Sequence, residues 1–250
     1  MTRYVLAMDT ATPMQTLALI DGEDVVVRAE RRVRYDHSST LLSAVDAALS
    51  ERKLTVADLD LIVCGLGPGS FTGLRVGLSI AKGLARAAGV PIVGASTLAA
   101  IAHRTAITHP GQPIAAAIDA RRGELYAGIY QWGDGALQNL LADCAMKERV
   151  LRDAILERTS EAQPGWLLGH NTGSYEALKD FEGTHVTALA PRWVSLDPVG
   201  LALLGRAHFE AEGAADLRTL EPNYVRPSDA ERTQHVHRSE DARNGHGGSL

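Results

Sequence analysis

The chain has 250 residues and a formal net charge of −5, with basic and acidic residues intermixed. It is long enough for one large domain or two lobes, and the charge excludes a strongly basic nucleic-acid surface while leaving local RNA contact open. Cys64 and Cys144 are its only cysteines, so no disulfide framework is implied; with no signal-peptide pattern and no apolar run of the ~18 residues that a span needs, a cytoplasmic protein that does not enter a membrane is expected.

Arg3 to Asp9 reads as a buried strand, Thr16 to Ile20 as a second and Val25 to Arg32 as a third. The turn Thr10-Ala11-Thr12-Pro13 separates the first two, and Asp21-Gly22 is a strong hairpin signal between the last two. A helix follows from about Ser38 to Arg52, with Leu41, Leu42, Val45, Ala48 and Leu49 in one stripe. The strand Leu61 to Cys64 then feeds a glycine-rich turn, Gly65-Leu66-Gly67-Pro68-Gly69-Ser70. The next helix runs to about Ala88 and is stopped by Gly89; the strand Pro91 to Gly94 comes after it. This β-turn-α-β unit favours a mainly parallel sheet. Its helix carries two apolar stripes, Leu74, Leu78, Ala81, Ala85 and Ala88 beside Val76, Ile80 and Leu84. That arc is wider than the ~100° an edge helix needs, so packing on two sides is expected. Gly73 and Gly77, four apart, would let another backbone come close. The helix is either fully buried core or core that also forms a protein interface. A short helix from Ser96 to about His103 closes the first half.

Turn formers at Thr108-His109-Pro110-Gly111-Gln112-Pro113 mark a lobe boundary. Beyond it the opening pattern recurs: Ile114 to Asp119 as a strand ending in Asp, Leu125 to Trp132 and Leu137 to Leu141 as strands, a helix from Lys147 to Arg158, and a strand Trp166 to Leu168. The order β-β-β-α-β thus appears twice. The first lobe is expected over 1–107 and the second over 112–195, with a helix at about 197–211 packing back on the first. Glu221 to Pro227 reads as extended, and the polar tail 228–250 as disordered.

Candidate chemistry is sparse. Gly67, Gly69 and Ser70 before a helix form either an anion site or only a tight strand-to-helix turn; the lysine of a P-loop is missing and GxGxxG is not matched. Asp9 and Asp119, each closing the first strand of its half, either face each other across an interlobe cleft or are ordinary strand ends. The histidines show no metal-ligand spacing; His235-Val236-His237 is close-set but lies in the tail. Ser70 is not in a nucleophile elbow. Arg121-Arg122-Gly123-Glu124 is a charged turn, either solvated or in contact with RNA or a partner.

Met8-Asp9-Thr10-Ala11-Thr12, His37-Ser38, the run Gly67 to Ala85, Ile118-Asp119-Ala120-Arg121-Arg122 and Glu221-Pro222-Asn223-Tyr224-Val225-Arg226 together resemble the TsaB (YeaZ) family, over Met1 to about Pro227. The resemblance implies an α/β, duplicated actin-like or Hsp70-like (ASKHA) two-lobed fold. It implies a non-catalytic subunit that binds and activates the transferase TsaD as a heterodimer, together with the ATPase TsaE, in making threonylcarbamoyladenosine at adenosine 37 of tRNA. It implies no cofactor of the chain's own, ATP or ADP at the complex interface, tRNA contact through the complex, and a homodimer in isolation. The family's pairing surface, the helical face of the first lobe, maps here onto Leu41, Leu42, Val45, Leu74, Val76, Gly77, Leu78, Ala81, Leu84 and Ala85, so Leu78→Glu or Gly77→Leu is expected to break pairing. The catalytic relative carries a metal-binding His-x-x-x-His whose positions fall here on Thr97, a poor ligand, and Ile101, which cannot be one. The alternatives are a stand-alone ATP-dependent enzyme using Asp9 and Asp119 in the interlobe cleft, and a metalloprotease, against which the missing histidine pair argues.

Overall fold

The computed structural model describes residues 2–33, 37–179, 181–189 and 195–226. The tail 228–250, with His235 and His237, lies outside the described residues. The first half runs β1 (Tyr4–Asp9), β2 (Met14–Asp21), β3 (Asp24–Arg32), α1 (His37–Ser50), a 3-10 turn at Val56–Asp58, β4 (Leu61–Gly65), α2 (Phe71–Ala88), β5 (Ile92–Ala95) and α3 (Thr97–Thr108). The second half runs β6 (Ile114–Asp119), β7 (Leu125–Gly133), β8 (Ala136–Met146), α4 (Glu148–Leu156), β9 (Gly165–His170), a 3-10 turn at Glu176–Leu178, β10 (Val186–Leu189) and α5 (Pro198–Glu212).

Each half builds one five-stranded sheet. The first has the order β3-β2-β1-β4-β5 and the second, read from its far edge, β8-β7-β6-β9-β10. In both, the first three strands are antiparallel neighbours and the last two join in parallel. One topology laid down twice is the duplication that the sequence repeat predicts, and it is the two-lobed actin-like arrangement that the family resemblance implies.

Alternation along the strands sorts the cores, because successive side chains leave a strand on opposite faces. Val5, Ala7, Leu61 and Val63 point into a central core that also contains Leu98–Ala102 and Ala106 of α3, Ile114, Ala116 and Ile118 of β6, and Leu201 and Ala202 of α5. Their neighbours Leu6, Met8, Ile62 and Cys64 point the other way, into a core shared with α1 and α2. Ala115, Ala117 and Leu167 face a third, smaller core under α4. Helices α3 and α5 are therefore sandwiched between the sheets; a Cβ on Gly205 of α5 would lie 2.4 Å from the Val63 side chain. Burying side chains such as Leu98 and Leu201 there stabilises the fold by roughly 1.5–3 kcal/mol each.

A polar tie crosses the same region. Ser96, which caps α3 by accepting from the Ala99 amide at 3.1 Å, donates to Asp143 Oδ2 at 2.5 Å, and the Tyr130 hydroxyl donates to the other Asp143 oxygen. Burial pushes the Asp143 carboxyl above the usual carboxylate range and the Tyr130 phenol upward as well.

The elements differ from expectation mainly in extent. α3 continues to Thr108 instead of about His103, and β8 spans Ala136–Met146 instead of Leu137 to Leu141. β10 falls in a stretch where no element is expected from the pattern. Among the described residues no helix is long and apolar enough to cross a membrane.

Candidate functional site

The two β-β-β halves face each other across a cleft of about 870 Å³. One wall is the β1–β2 turn (Ala11, Thr12, Pro13), Arg32, and the α2 entry from Pro68 to Thr72; the other is Ile118 to Arg121, Tyr126, His170 and Asn171. Asn223 to Arg226 run along it as well. Arg32, Arg121 and Arg226 line it together with Asp119, and Arg226 is paired with Glu124 at 3.1 Å.

The α2 entry is shaped by glycine. Gly69, Gly73 and Gly77 recur every four residues on one side, and the β1–β2 turn lies directly on them. A Cβ would fall 2.4 Å from Ala11 O at Gly69, 2.0 Å from Thr10 O at Gly73 and 2.3 Å from Thr10 Oγ1 at Gly77. Thr10 Oγ1 donates to Gly73 O at 2.7 Å, and the Ser70 amide donates to Ala11 O at 2.7 Å. Ser70 caps the helix by accepting from the Gly73 amide at 3.3 Å, and Gly89 closes it in the left-handed region at φ 70°.

Asp9 and Asp119 occupy equivalent strand ends and make the same local turn. Asp9 Oδ1 accepts from the Ala11 amide at 2.7 Å and Asp119 Oδ1 from the Arg121 amide at 2.8 Å. Their surroundings differ. Asp9 is 1% exposed, its Oδ2 accepting from Thr97 Oγ1 at 2.6 Å, and burial holds its carboxyl above the usual range, offset in part by the Thr97 hydroxyl and the Ala11 amide. Asp119 is partly open, accepting from Asn171 Nδ2 at 3.0 Å and from the Tyr175 hydroxyl at 2.6 Å. That hydroxyl also lies 2.6 Å from Glu124 O, and burial together with Asp119 pushes its pKa up.

Of the five residues expected at an anion or nucleotide site, Gly69, Ser70 and Asp119 line the cleft, whereas Asp9 and Gly67 do not. The reason is Thr97. Its hydroxyl accepts from the Gly67 amide at 3.1 Å while donating to Asp9, and its own amide donates to Gly67 O at 2.8 Å. Gly67 and Asp9 are thereby tied to the start of α3 behind the cleft wall. A metal–nucleotide held through Asp9 does not fit these residues. Among the described residues no group of three His, Cys, Asp or Glu is placed to hold a metal ion. Sequence reasoning missed Asn171 and Tyr175; the signal available was the repeat itself, since Asn171 follows the fourth strand of its lobe as Leu66 follows β4.

The expected pairing surface also needs correction. Leu41, Val45, Leu74, Gly77, Leu78, Ala81 and Ala85 are buried in the chain's own interior. The wide apolar arc of α2 reports packing on β1, β4 and α1, and what lies close to Gly77 is the side chain of the chain's own Thr10. Of the ten residues only Leu42 is exposed, at 47%, while Val76 and Leu84 are half-buried. Leu78→Glu and Gly77→Leu would therefore damage the fold before they reported on any partner.

The cleft, the Asp9–Thr97 tie and the glycine-laddered helix can be set beside known proteins. The family model for TsaD, tRNA N6-adenosine threonylcarbamoyltransferase, matches residues 31–164. The tRNA threonylcarbamoyladenosine biosynthesis protein TsaB of Bacillus subtilis (strain 168) is 32% identical over 228 residues, 91% of this chain and 96% of its own length. TsaB of Escherichia coli (strain K12) is 32% identical over 226 residues, 89% of this chain and 94% of its own length. Among solved structures, YeaZ from Pseudomonas aeruginosa superposes with a TM-score of 0.73 at 25% identity, covering 89% of this chain and 99% of that one. A likeness this even over nearly the whole of both chains, in sequence and in backbone, means that the chain belongs to the TsaB family.

Proposed function

We propose that this chain is a non-catalytic subunit in the synthesis of threonylcarbamoyladenosine at adenosine 37 of tRNA, acting in the cytoplasm by binding and activating the transferase TsaD, with the ATPase TsaE. The observation that carries the reading is the end-to-end likeness to two proteins named for that pathway. A non-catalytic role is supported by the two positions onto which the metal-binding histidines of the catalytic relative fall. The Thr97 hydroxyl is engaged with Asp9 and Gly67, and Ile101 is 3% exposed in the central core. In this reading the chain holds no cofactor of its own, ATP or ADP binds at the interface with TsaD, and tRNA is met through the complex.

The pairing face is redrawn on the outer sides of α1 and α2, around Leu42, Val76, Ile80 and Leu84, and the same face makes a homodimer when TsaD is absent. Leu42→Glu places a charge there at an exposed position and moves stability by no more than about 0.5 kcal/mol; Val76→Glu places one at a half-buried position of the same face. The test is size-exclusion chromatography with light scattering on the chain alone and mixed with TsaD, followed by a threonylcarbamoyl-transfer assay on each fraction. An active one-to-one complex beside an inactive lone chain, with complex lost in both variants and the melting temperature of Leu42→Glu unchanged, is the expected result. A lone chain that transfers the group, or one that never associates with TsaD, overturns the reading.

A further inference from the structure

The extended segment after α5 is tied to both lobes. Leu217 and Leu220 pack into the α1/α2 core and the Ala215 amide donates to Ile92 O at 2.9 Å, which sets the segment along the edge of the first sheet. The Asn223 amide then donates to Leu66 O at 2.8 Å, in the turn that leads into α2. Tyr224 lies against the first turn of that helix: its ring is 5.0 Å from Phe71, and its hydroxyl accepts from Arg75 Nε at 2.9 Å. The Arg75 guanidinium also sits 3.8 Å over the Phe71 ring. Two residues on, the chain has reached the other lobe. Arg226 Nη1 meets Glu124 Oε2 at 3.1 Å, with the side chains 13% and 29% exposed. Glu124 closes the hairpin turn whose backbone is held by the Tyr175 hydroxyl at Glu124 O and by Asp119 at the Arg121 amide.

We propose that Asn223–Arg226 is a latch across the cleft that couples the first turn of α2 to the second-lobe hairpin at 120–124. Its first-lobe end is the Phe71–Tyr224–Arg75 stack, and its second-lobe end is the Arg226–Glu124 ion pair. An ion pair shielded to this degree is held more firmly than an exposed one, and its partners are 102 residues apart in sequence, so it constrains how the lobes sit and not merely a local loop. A group that engages Arg75 on the outer face of α2 withdraws the donor to Tyr224, and the hairpin on the far side of the cleft is loosened in turn. The coupling is reciprocal, so a ligand that takes Arg226 from Glu124 loosens the first turn of α2.

The test is hydrogen–deuterium exchange on the full chain without any partner, so it stands or falls independently of the function proposed above. Arg226→Met keeps the bulk and removes the charge; Tyr224→Ala breaks the first-lobe end without touching the hairpin. Both are expected to raise exchange over 120–125 by about three- to tenfold, with the amides of α3 and α5 unchanged. The charge swap Arg226→Glu with Glu124→Arg is expected to return exchange to the parent level, while Glu124→Arg alone is not. If Tyr224→Ala leaves 120–125 unaltered, or if the swap behaves no better than the single reversal, the latch is overturned. A general rise that includes α3 and α5 also overturns it, since the segment would then be supporting the fold as a whole.

Discussion

The two lobes share one strand order and fill it differently after the fourth strand. In the first, β4 is followed by the 18 residues of α2; in the second, β9 is followed by a 3-10 turn of three residues, Glu176–Leu178. The turn after the first strand is held accordingly. The Thr10–Thr12 turn rests its backbone on Gly69 and Gly73 and the Thr10 side chain on Gly77. Its counterpart at Ala120–Glu124 has no such helix beneath it and is held by side chains, Tyr175 and Asn171 reaching Asp119 and Glu124. Close seating of the turn on α2 requires glycine, and beside it Gly65 and Thr97 seal the strand-end carboxylate, whereas side-chain props leave the equivalent carboxylate on the cleft wall. The scaffold is the same in both lobes, and the contacts of Gly65 and Thr97 enclose one copy of the Asp while the other stays on the cleft wall.

The largest effect is expected where that contact is tightest. Gly73→Ala sets a methyl 2.0 Å from a backbone oxygen that cannot swing away, so a loss of about 3 kcal/mol or more is expected. Gly173→Ala, in the corresponding part of the second lobe with nothing within 4 Å of its Cβ, should stay within about 0.5 kcal/mol. Urea midpoints of the two variants measure the contrast directly; equal midpoints would mean that α2 can shift off the turn. Next comes Thr97→Val, which removes the donor to Asp9 and the acceptor for the Gly67 amide at a buried position and is expected to cost about 2–3 kcal/mol. The second-lobe counterpart, Tyr175→Phe, loses a hydroxyl shared between Asp119 and Glu124 O near the surface; about 1 kcal/mol is expected there. A Tyr175→Phe loss as large as that of Thr97→Val would erase the distinction between a sealed and a propped carboxylate.

Much of this was legible in the sequence. The runs Val5–Asp9 and Ile114–Asp119, apolar and ending in Asp, announced the repeat, and the Asp21-Gly22 hairpin and Gly89 stop fell where the residue chemistry put them. β10 was not legible because it is a four-residue edge strand with one buried side chain, Val186, and so carries no periodic signal. The width of the α2 apolar arc and the Gly73/Gly77 spacing correctly reported close packing, but neither property says which chain supplies the neighbour. For Gly77 it was Thr10, 67 positions earlier, and the pairing surface that the family resemblance maps onto these helices was mostly interior. Asp9 was legible as a strand end. Its burial was not, because that depends on Gly65, whose Cβ would lie 1.8 Å from Asp9 Oδ2, and on Thr97 at the start of another helix.

The finest difference is one of slope with pH. Burial raises the Asp9 carboxyl above its value in the unfolded chain, so just above an unfolded carboxylate pKa of about 3.9 the native state binds more protons than the unfolded state. Stability from this source is therefore complete below that pH and declines as pH rises toward the folded value, the reverse of a salt-bridged carboxylate. Asp9→Asn keeps the shape and one acceptor while removing the ionisation. Its melting temperature should fall less steeply than the parent's as pH is raised from about 4 toward neutrality, so the variant gains on the parent along the series whatever their order at the acid end. Asp143→Asn should flatten the curve in the same direction, because burial raises that carboxyl too. Parallel curves for parent and Asp9→Asn would mean that Asp9 is ionised as readily folded as unfolded, and that solvent reaches it through the glycine-seated turn.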